Sequence, residues 1–145
     1  MEQIFVKAVR ADAPLPKRAT PGSAGYDLQA YIEAAVSIPP GERAVIPTGI
    51  AIQLPADTVG LVFGRSGLGV RAGVLPANGV GVIDSDYRGE IMVGLLNTGD
   101  TAFVVQPGDR IAQLVITPVL TPPLVWAEEL DETGRSSGGF GSTGR

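Results

Sequence analysis

The sequence predicts an all-β domain of the sandwich or barrel type, with one short helix. Turn signals rich in Gly and Pro recur at intervals of roughly eight to ten residues. The segments between them alternate apolar and polar positions, and a single stretch has helical character.

The turns come first in the argument because they set the strand lengths. Pro39-Pro40-Gly41, Pro47-Thr48-Gly49, Pro55-Ala56-Asp57, Asn97-Thr98-Gly99-Asp100 and Pro107-Gly108-Asp109 each combine residues that bend the backbone or tolerate positive φ. Between them Ile50, Ile52 and Leu54 alternate with Ala51 and Gln53, and Phe103 and Val105 alternate with Ala102, Val104 and Gln106. That period of two is the pattern of a half-buried strand. Residues 91–96 and 114–116 are instead apolar at successive positions, which predicts strands covered on both faces. In a chain this short, another subunit is one source of the second cover. Residues 66–72 are the helical stretch, with Ser66 as the expected N-cap and Gly67 and Gly69 lowering its propensity.

At 145 residues the chain has the length of one domain and can bury about two-thirds of its unfolded surface without a metal or disulfide. A hydrophobic share of 44% with 18% charged residues is that of a globular protein. No apolar run reaches the roughly eighteen residues of a membrane span. Residues 1–10 mix Glu2, Gln3, Lys7 and Arg10 into what a signal peptide would keep apolar, so a cytoplasmic protein is expected.

The chain has no Cys and no His. This removes the usual zinc ligands, the thiol nucleophile and the near-neutral base together, and leaves acid-base chemistry to carboxylates, Lys or Tyr. A net charge of -4 argues against stable nucleic-acid binding, which needs a basic surface. An anionic ligand would have to be small and held by a few placed groups.

The densest polar chemistry lies in residues 78–92, N-G-V-G-V-I-D-S-D-Y-R-G-E-I-M. Asp84, Asp86, Tyr87 and Arg88 fall within five positions, framed by glycines and apolar residues. On a regular strand the two carboxylates would share a face and repel each other. In a hairpin they would diverge, one toward a ligand and one toward Arg88 or Arg110. Asn78-Gly79 alone is an ordinary turn signal.

Gly64-Arg65-Ser66-Gly67-Leu68-Gly69 follows the apolar run Leu61-Val62-Phe63. A Gly-rich turn there, with Arg65 and Ser66, can take an anion. It is equally an ordinary strand-to-helix turn, and it lacks the G-K-[ST] of a Walker loop. Asp27 and Arg110 both sit beside apolar residues, so a structural pair between them stands beside direct ligand contact by either one.

Residues 131–145, D-E-T-G-R-S-S-G-G-F-G-S-T-G-R, carry one large apolar residue, Phe140, and cannot form a core. The chain therefore divides into a β domain, 1–130, and a Gly/Ser-rich C-terminal segment, 131–145. This segment is either a solvated tail or a lid whose backbone and Arg135 meet phosphates while Phe140 stacks on a base.

Taken in order, five segments resemble the motifs of the trimeric dUTPases, the dUTP nucleotidohydrolases. They are Ala24-Gly25-Tyr26-Asp27-Leu28, then Arg65-Ser66-Gly67-Leu68, then Gly81-Val82-Ile83-Asp84-Ser85-Asp86-Tyr87-Arg88-Gly89-Glu90. Gly108-Asp109-Arg110-Ile111-Ala112-Gln113-Leu114 follows, and the last is Arg135 with Gly138-Gly139-Phe140-Gly141-Ser142-Thr143-Gly144. Together they span nearly the whole chain.

The resemblance implies a β jelly-roll assembled as a homotrimer with active sites at subunit interfaces. It implies hydrolysis of dUTP to dUMP and pyrophosphate, which keeps uracil out of DNA and supplies dUMP for thymidylate. By the same resemblance, a hairpin in the third motif reads uracil with Asn78 and the backbone of Val82, Ile83 and Met92. Tyr87 packs on the sugar and excludes a 2'-hydroxyl. Asp84 activates the water that attacks the α-phosphorus, while Arg65, Ser66, Gly67 and Gln113 contact phosphates. Arg135 and Phe140 arrive from a neighbouring subunit. Mg²⁺ is held mainly by the triphosphate and water, with no direct protein ligand. Asp27, Asp86, Arg88 and Arg110 are expected to be supporting residues.

The last motif departs from the family in reading Arg-Ser-Ser-Gly-Gly-Phe, with less glycine after the arginine, and Gly64 stands where proline is common. The rival readings are a dCTP deaminase of the same fold, marked by ammonia release, and a non-catalytic nucleotide-dependent binding module, which would have lost Asp84 or Phe140.

Overall fold

The computed structural model describes residues 3–140. Among these it is built almost entirely of antiparallel β-structure, as a jelly-roll-like sandwich with one short helix.

The largest sheet has four strands in the order β2 (Tyr26–Gln29), β11 (Arg110–Pro118), β6 (Thr58–Phe63) and β8 (Gly81–Ile83). A three-stranded sheet runs β4 (Arg43–Pro47), β9 (Met92–Asn97), β7 (Val74–Pro76). Two ribbons complete the fold, β1 (Phe5–Ala8) with β5 (Ile50–Gln53), and β3 (Val36–Ile38) with β10 (Phe103–Val105). Non-local pairing of this kind puts distant segments side by side. Gln113 faces Asp27 on one neighbour and Phe63 on the other.

The inward residues of these strands form one core, with Leu28, Ile38, Ile46, Ile50, Val93, Leu95, Val105 and Ile111 almost wholly buried. Each such side chain stabilises the fold by about 1.5–3 kcal/mol through removal of apolar surface from water. Asn97 is the polar exception at 0% exposure. Its Nδ2 donates to the carbonyls of Ile38 and Thr101 at 2.8 and 2.9 Å, and its Oδ1 accepts the Gly99 N–H at 2.9 Å. With donors and acceptor all used, its burial carries no unpaired-group penalty.

The alternation expected at residues 103–105 is present, with Val104 outward and Val105 inward. In β5 Ala51 is buried together with Ile50 and Ile52, so the expected alternation is broken there and returns only at exposed Gln53. Two-sided cover is not found within the chain at residues 91–96. Val93 and Leu95 point inward, Gly94 and Leu96 are half-buried, and Met92 is 45% exposed. The outer face of β9 opens on a cleft instead of packing. In β11 likewise, Leu114 is buried while Val115 and Ile116 are half-buried.

The helix α1 spans Ser66–Ala72 as expected, but Ser66 is its first residue and not its cap. Arg65 occupies the cap position in extended conformation and makes no capping side-chain bond. The helix ends at Gly73 in left-handed conformation, φ 67°, where a Cβ would lie 2.8 Å from the Gly99 nitrogen. Glycine is required there by both backbone and space.

After Val119, whose N–H bonds to the Asp57 carbonyl at 2.9 Å, the chain forms neither strand nor helix through residue 140. Leu120, Leu124, Val125, Trp126 and Leu130 are all more than four-fifths exposed. This segment offers a run of large apolar residues that the other described residues leave uncovered. Among the described residues no helix is long and apolar enough to cross a membrane.

Candidate functional site

β8 is an edge strand, paired only with β6, so one row of its backbone N–H and C=O groups is free of ladder bonds. Beside it lies a cleft of about 350 Å³ lined by Asn78, residues 81–84, Tyr87, Glu90 and Met92, with Val62 and Pro76 among the apolar wall residues. Gly79 turns the chain into β8 at φ 74°. Gly81 allows close approach, since a Cβ there would meet Val62 at 3.1 Å. An exposed strand edge held this close to an apolar wall can read the edge of a planar base by backbone hydrogen bonds.

Asp84 opens the loop after β8 and is exposed at the cleft. The Tyr87 N–H donates to the Asp84 carbonyl at 3.1 Å, which closes a turn. Arg88 Nη1 then donates to the carbonyls of Ser85 and Tyr87 at 2.7 and 2.9 Å. Arg88 therefore braces the loop rather than pairing with Asp86. Among the described residues neither Asp84 nor Asp86 makes an ion pair. Both lie beyond the end of β8, so they do not share a strand face. Nor do residues 81–97 form a ladder-paired hairpin, because β8 and β9 belong to different sheets.

The Tyr87 hydroxyl donates to the Glu90 carbonyl at 3.0 Å, and a Cβ at Gly89 would overlap the phenol ring. The Glu90 carboxylate is gripped from elsewhere, by Arg10 Nε at 2.9 Å, Arg10 Nη2 at 3.1 Å and the Gly49 N–H at 2.8 Å. The Arg10 hydrogen bond holds the Glu90 carboxyl below its ordinary range against the opposing effect of burial, with help from Gly49. The same contact raises the Arg10 pKa.

A second cleft, of about 650 Å³, is lined by residues 23–25, Asp27, residues 65–68, Arg71, Arg110 and Gln113. Three guanidinium groups and the start of α1 give it the character of an anion site. Asp27 pairs with Arg110 at 3.2 Å, as one expectation had it, and also with Arg65 at 3.3 Å. The β2–β11 register shifts between Arg110 and Ala112, and Asp27, which Arg110 meets, stands opposite Gln113 in the ladder. Gln113 Nε2 donates to the Gly64 carbonyl at 2.9 Å and so fixes the turn before Arg65. Gly25 is tight against this amide, for a Cβ would lie 2.5 Å from Gln113 Oε1.

The structure thus brings Asn78, Val82, Ile83, Asp84, Tyr87 and Met92 together in one cleft, and Asp27, Arg65, Ser66, Gly67, Arg110 and Gln113 in another. The two share no lining residue. Arg135 and Phe140 reach neither; Arg135 Nε closes on the Gly138 carbonyl at 2.9 Å, and the Phe140 side chain is fully exposed. Residues 141–144 of the last segment lie outside the described residues. Sequence reasoning missed Arg71, although its spacing of three from Leu68 places both on one helix face. It also missed Glu90 and its partner Arg10, which no local signal links.

Fold and clefts define an all-β protein with a base-sized slot at a sheet edge and an arginine-lined anion cleft. The family model described as dUTPase matches residues 11–144. This chain belongs to the dUTPase family. It is 57% identical over 149 aligned positions to the deoxyuridine 5'-triphosphate nucleotidohydrolase of Desulfitobacterium hafniense strain DSM 10664 / DCB-2, covering 99% of each chain. Its fold is similar to that of the Staphylococcus bacteriophage 80alpha dUTPase with dUPNHPP, at TM-score 0.90 and 29% identity over all of both chains. A mutant dUTPase from phage phi11 of S. aureus, described for its coordination of a structural Mg(II) ion, is 28% identical with TM-score 0.79. That match covers 88% of this chain and 98% of the other.

Proposed function

We propose that this chain hydrolyses dUTP to dUMP and pyrophosphate, as a dUTP diphosphatase, with Asp84 as the base. The observation that carries this reading is the convergence of a free strand edge, Asn78, Asp84 and Tyr87 on one base-sized cleft. Family membership supports it, together with the name borne by the Desulfitobacterium relative. In a chain without His, a carboxylate is the base available for a water attack.

Asn78 and backbone groups of Val82, Ile83 and Met92 take the uracil edge, and Tyr87 lies on the sugar where a 2'-hydroxyl would collide. The Asp84 carboxylate removes a proton from water, whose oxygen bonds to the α-phosphorus. The bond from that phosphorus to its bridging oxygen breaks, and pyrophosphate leaves. Arg65, Ser66, Gly67 and Gln113 bind and orient the phosphates, so positioning and charge neutralisation supply most of the rate. The product dUMP feeds thymidylate synthesis, and removal of dUTP keeps uracil from DNA.

Among the described residues no three metal-ligating side chains converge. This donor set suits Mg²⁺ carried by the triphosphate and water, with Asp84 the carboxylate of the base cleft able to meet such an ion's waters. The ion would neutralise phosphate charge.

The acting form is a cytoplasmic homotrimer, with the β domain at 1–130 and the segment 131–145 as a lid. Its support is that the base and anion clefts share no residue, and that residues 120–130 expose large apolar side chains. Subunit contact would join one chain's base cleft to another's anion cleft and bring in Arg135 and Phe140. Pyrophosphate release from dUTP with Mg²⁺, compared with UTP, tests the reading, and the oligomeric mass in solution tests the assembly.

A further inference from the structure

We propose that Arg10 is a positioning residue for the base-and-sugar cleft, acting through Glu90 on Tyr87 and so on the choice of deoxyribose over ribose. The inference rests on the dUTP-hydrolysing reading above and adds a residue to it. Arg10 lies outside the region matched by the family model, outside the five motif segments and outside both clefts.

The geometry is a chain of contacts. Arg10 meets Glu90, 80 positions away in sequence, with two parallel bonds, Nε to Oε1 at 2.9 Å and Nη2 to Oε2 at 3.1 Å. Two-point contact fixes the rotation of the carboxylate as well as its distance. Glu90 Oε1 also accepts the Gly49 N–H at 2.8 Å, while the Gly49 carbonyl accepts the N–H groups of Val9 and Arg10 at 2.9 and 3.3 Å. Arg10 thereby closes a ring through the turn at Gly49 and back to Glu90.

The Glu90 main-chain carbonyl is the acceptor for the Tyr87 hydroxyl at 3.0 Å. A shift of the Glu90 peptide therefore moves the acceptor that sets the phenol over the sugar site. On the far side of Glu90, Ile91 is already fixed, its N–H to the Ile50 carbonyl at 2.8 Å and its own carbonyl by Thr48 Oγ1 at 2.6 Å. Before Glu90 comes Gly89, so close to the Tyr87 phenol that a Cβ there would overlap the ring, and between it and Ile91 the Glu90 side chain is held by Arg10 together with the Gly49 N–H. Stability alone does not account for the pair. Its side chains are 45% and 19% exposed, so the stability it adds is partial and screened by solvent. Placement is the property that two-point geometry supplies.

The experiment compares the full-length chain with Arg10→Gln, Arg10→Lys and Glu90→Gln, measuring kcat and KM on dUTP and on UTP together with the thermal midpoint. Arg10→Gln is expected to raise KM for dUTP and lower the dUTP-to-UTP ratio of kcat/KM about tenfold, while kcat on dUTP stays within about threefold. Arg10→Lys keeps the charge but not the fork, and restores part of the ratio. If Arg10→Gln does not fold, Glu90→Gln, which retains the shape of the side chain, decides the matter by the same ratio. A lowered midpoint with unchanged KM and unchanged ratio makes the pair purely structural and overturns the proposal. Wild-type protein that leaves dUTP intact refutes the dUTP reading instead. In that case, affinity for dUMP against UMP in the same variants tests the positioning role, and unchanged relative affinity overturns it.

Discussion

Arg65 Nε lies 3.3 Å from Asp27 Oδ1, so the arginine assigned to phosphate is held by a carboxylate before any ligand arrives. The other oxygen of Asp27 holds Arg110 at 3.2 Å. One partly buried carboxylate thus keeps two like charges near each other in the anion cleft. An arginine fixed in this way loses less side-chain freedom when phosphate binds.

Replacing Asp27 by Asn removes the charge that balances Arg65 and Arg110 while keeping the size. Asp27→Asn is expected to raise KM for dUTP by about tenfold through loss of placement, with a lowered thermal midpoint. Steady-state kinetics and thermal unfolding read the two effects. A KM equal to wild type would mean that Arg65 reaches phosphate without Asp27.

Asp84 is exposed at the cleft and makes no ion pair among the described residues, as a base that must receive a proton requires. Asp84→Asn should lower kcat by about a hundredfold to ten-thousandfold, the range typical of a general base, with affinity for a non-hydrolysed dUTP analogue retained. Calorimetry and single-turnover kinetics separate binding from chemistry. Unchanged turnover would remove Asp84 from the mechanism.

The strands, the single helix and the grouping of residues 78–92 into one cleft were legible because each rests on local pattern: period two, turn residues, and dense polar side chains in an apolar setting. The Asp27–Arg110 pair was legible as one of two alternatives, since both residues sit in apolar surroundings. The extra hold on Arg65 was not, because it joins a residue of the turn before α1 to one on β2, a non-local contact with no local sequence signal. The bounds of α1 match the expected stretch, but its cap position falls to Arg65 and not to Ser66, as a serine before glycine fits either a cap or a first turn. The Arg10–Glu90 pair left no trace, for nothing in sequence relates an exposed arginine near the N-terminus to a glutamate 80 positions later. The separation of base and anion clefts also escaped, since motif order does not state which surface each motif faces.

The Arg10 contact holds the Glu90 carboxyl below its ordinary range. A carboxyl depressed by folding contributes stability above its unfolded pKa, and that contribution is lost as pH falls through the folded value. The wild-type thermal midpoint should therefore fall on acidification below about pH 4.3, the ordinary glutamate value, more steeply than that of Glu90→Gln. Calorimetric scans from about pH 6 to about pH 3 span the window in which such a carboxyl titrates. Parallel curves for the two proteins would show that the pair carries no pH-linked stability.

Among the described residues the C-terminal segment reaches neither cleft of its own chain, yet Phe140 and Arg135 are the groups proposed for base and phosphate. A chain ending at Leu130 should keep the β domain and its thermal midpoint while losing at least about tenfold in kcat/KM for dUTP. Activity equal to full length would leave the segment as a solvated tail.

In the proposed reaction the cleft beside β8 selects deoxyuridine and Asp84 directs water at the α-phosphorus. The most direct measurement is hydrolysis of dUTP by full-length protein with Mg²⁺ in ¹⁸O-labelled water, run beside UTP. The account predicts dUMP bearing the label, unlabelled pyrophosphate, and little turnover of UTP. Label in pyrophosphate, equal hydrolysis of UTP, or intact dUTP would contradict it.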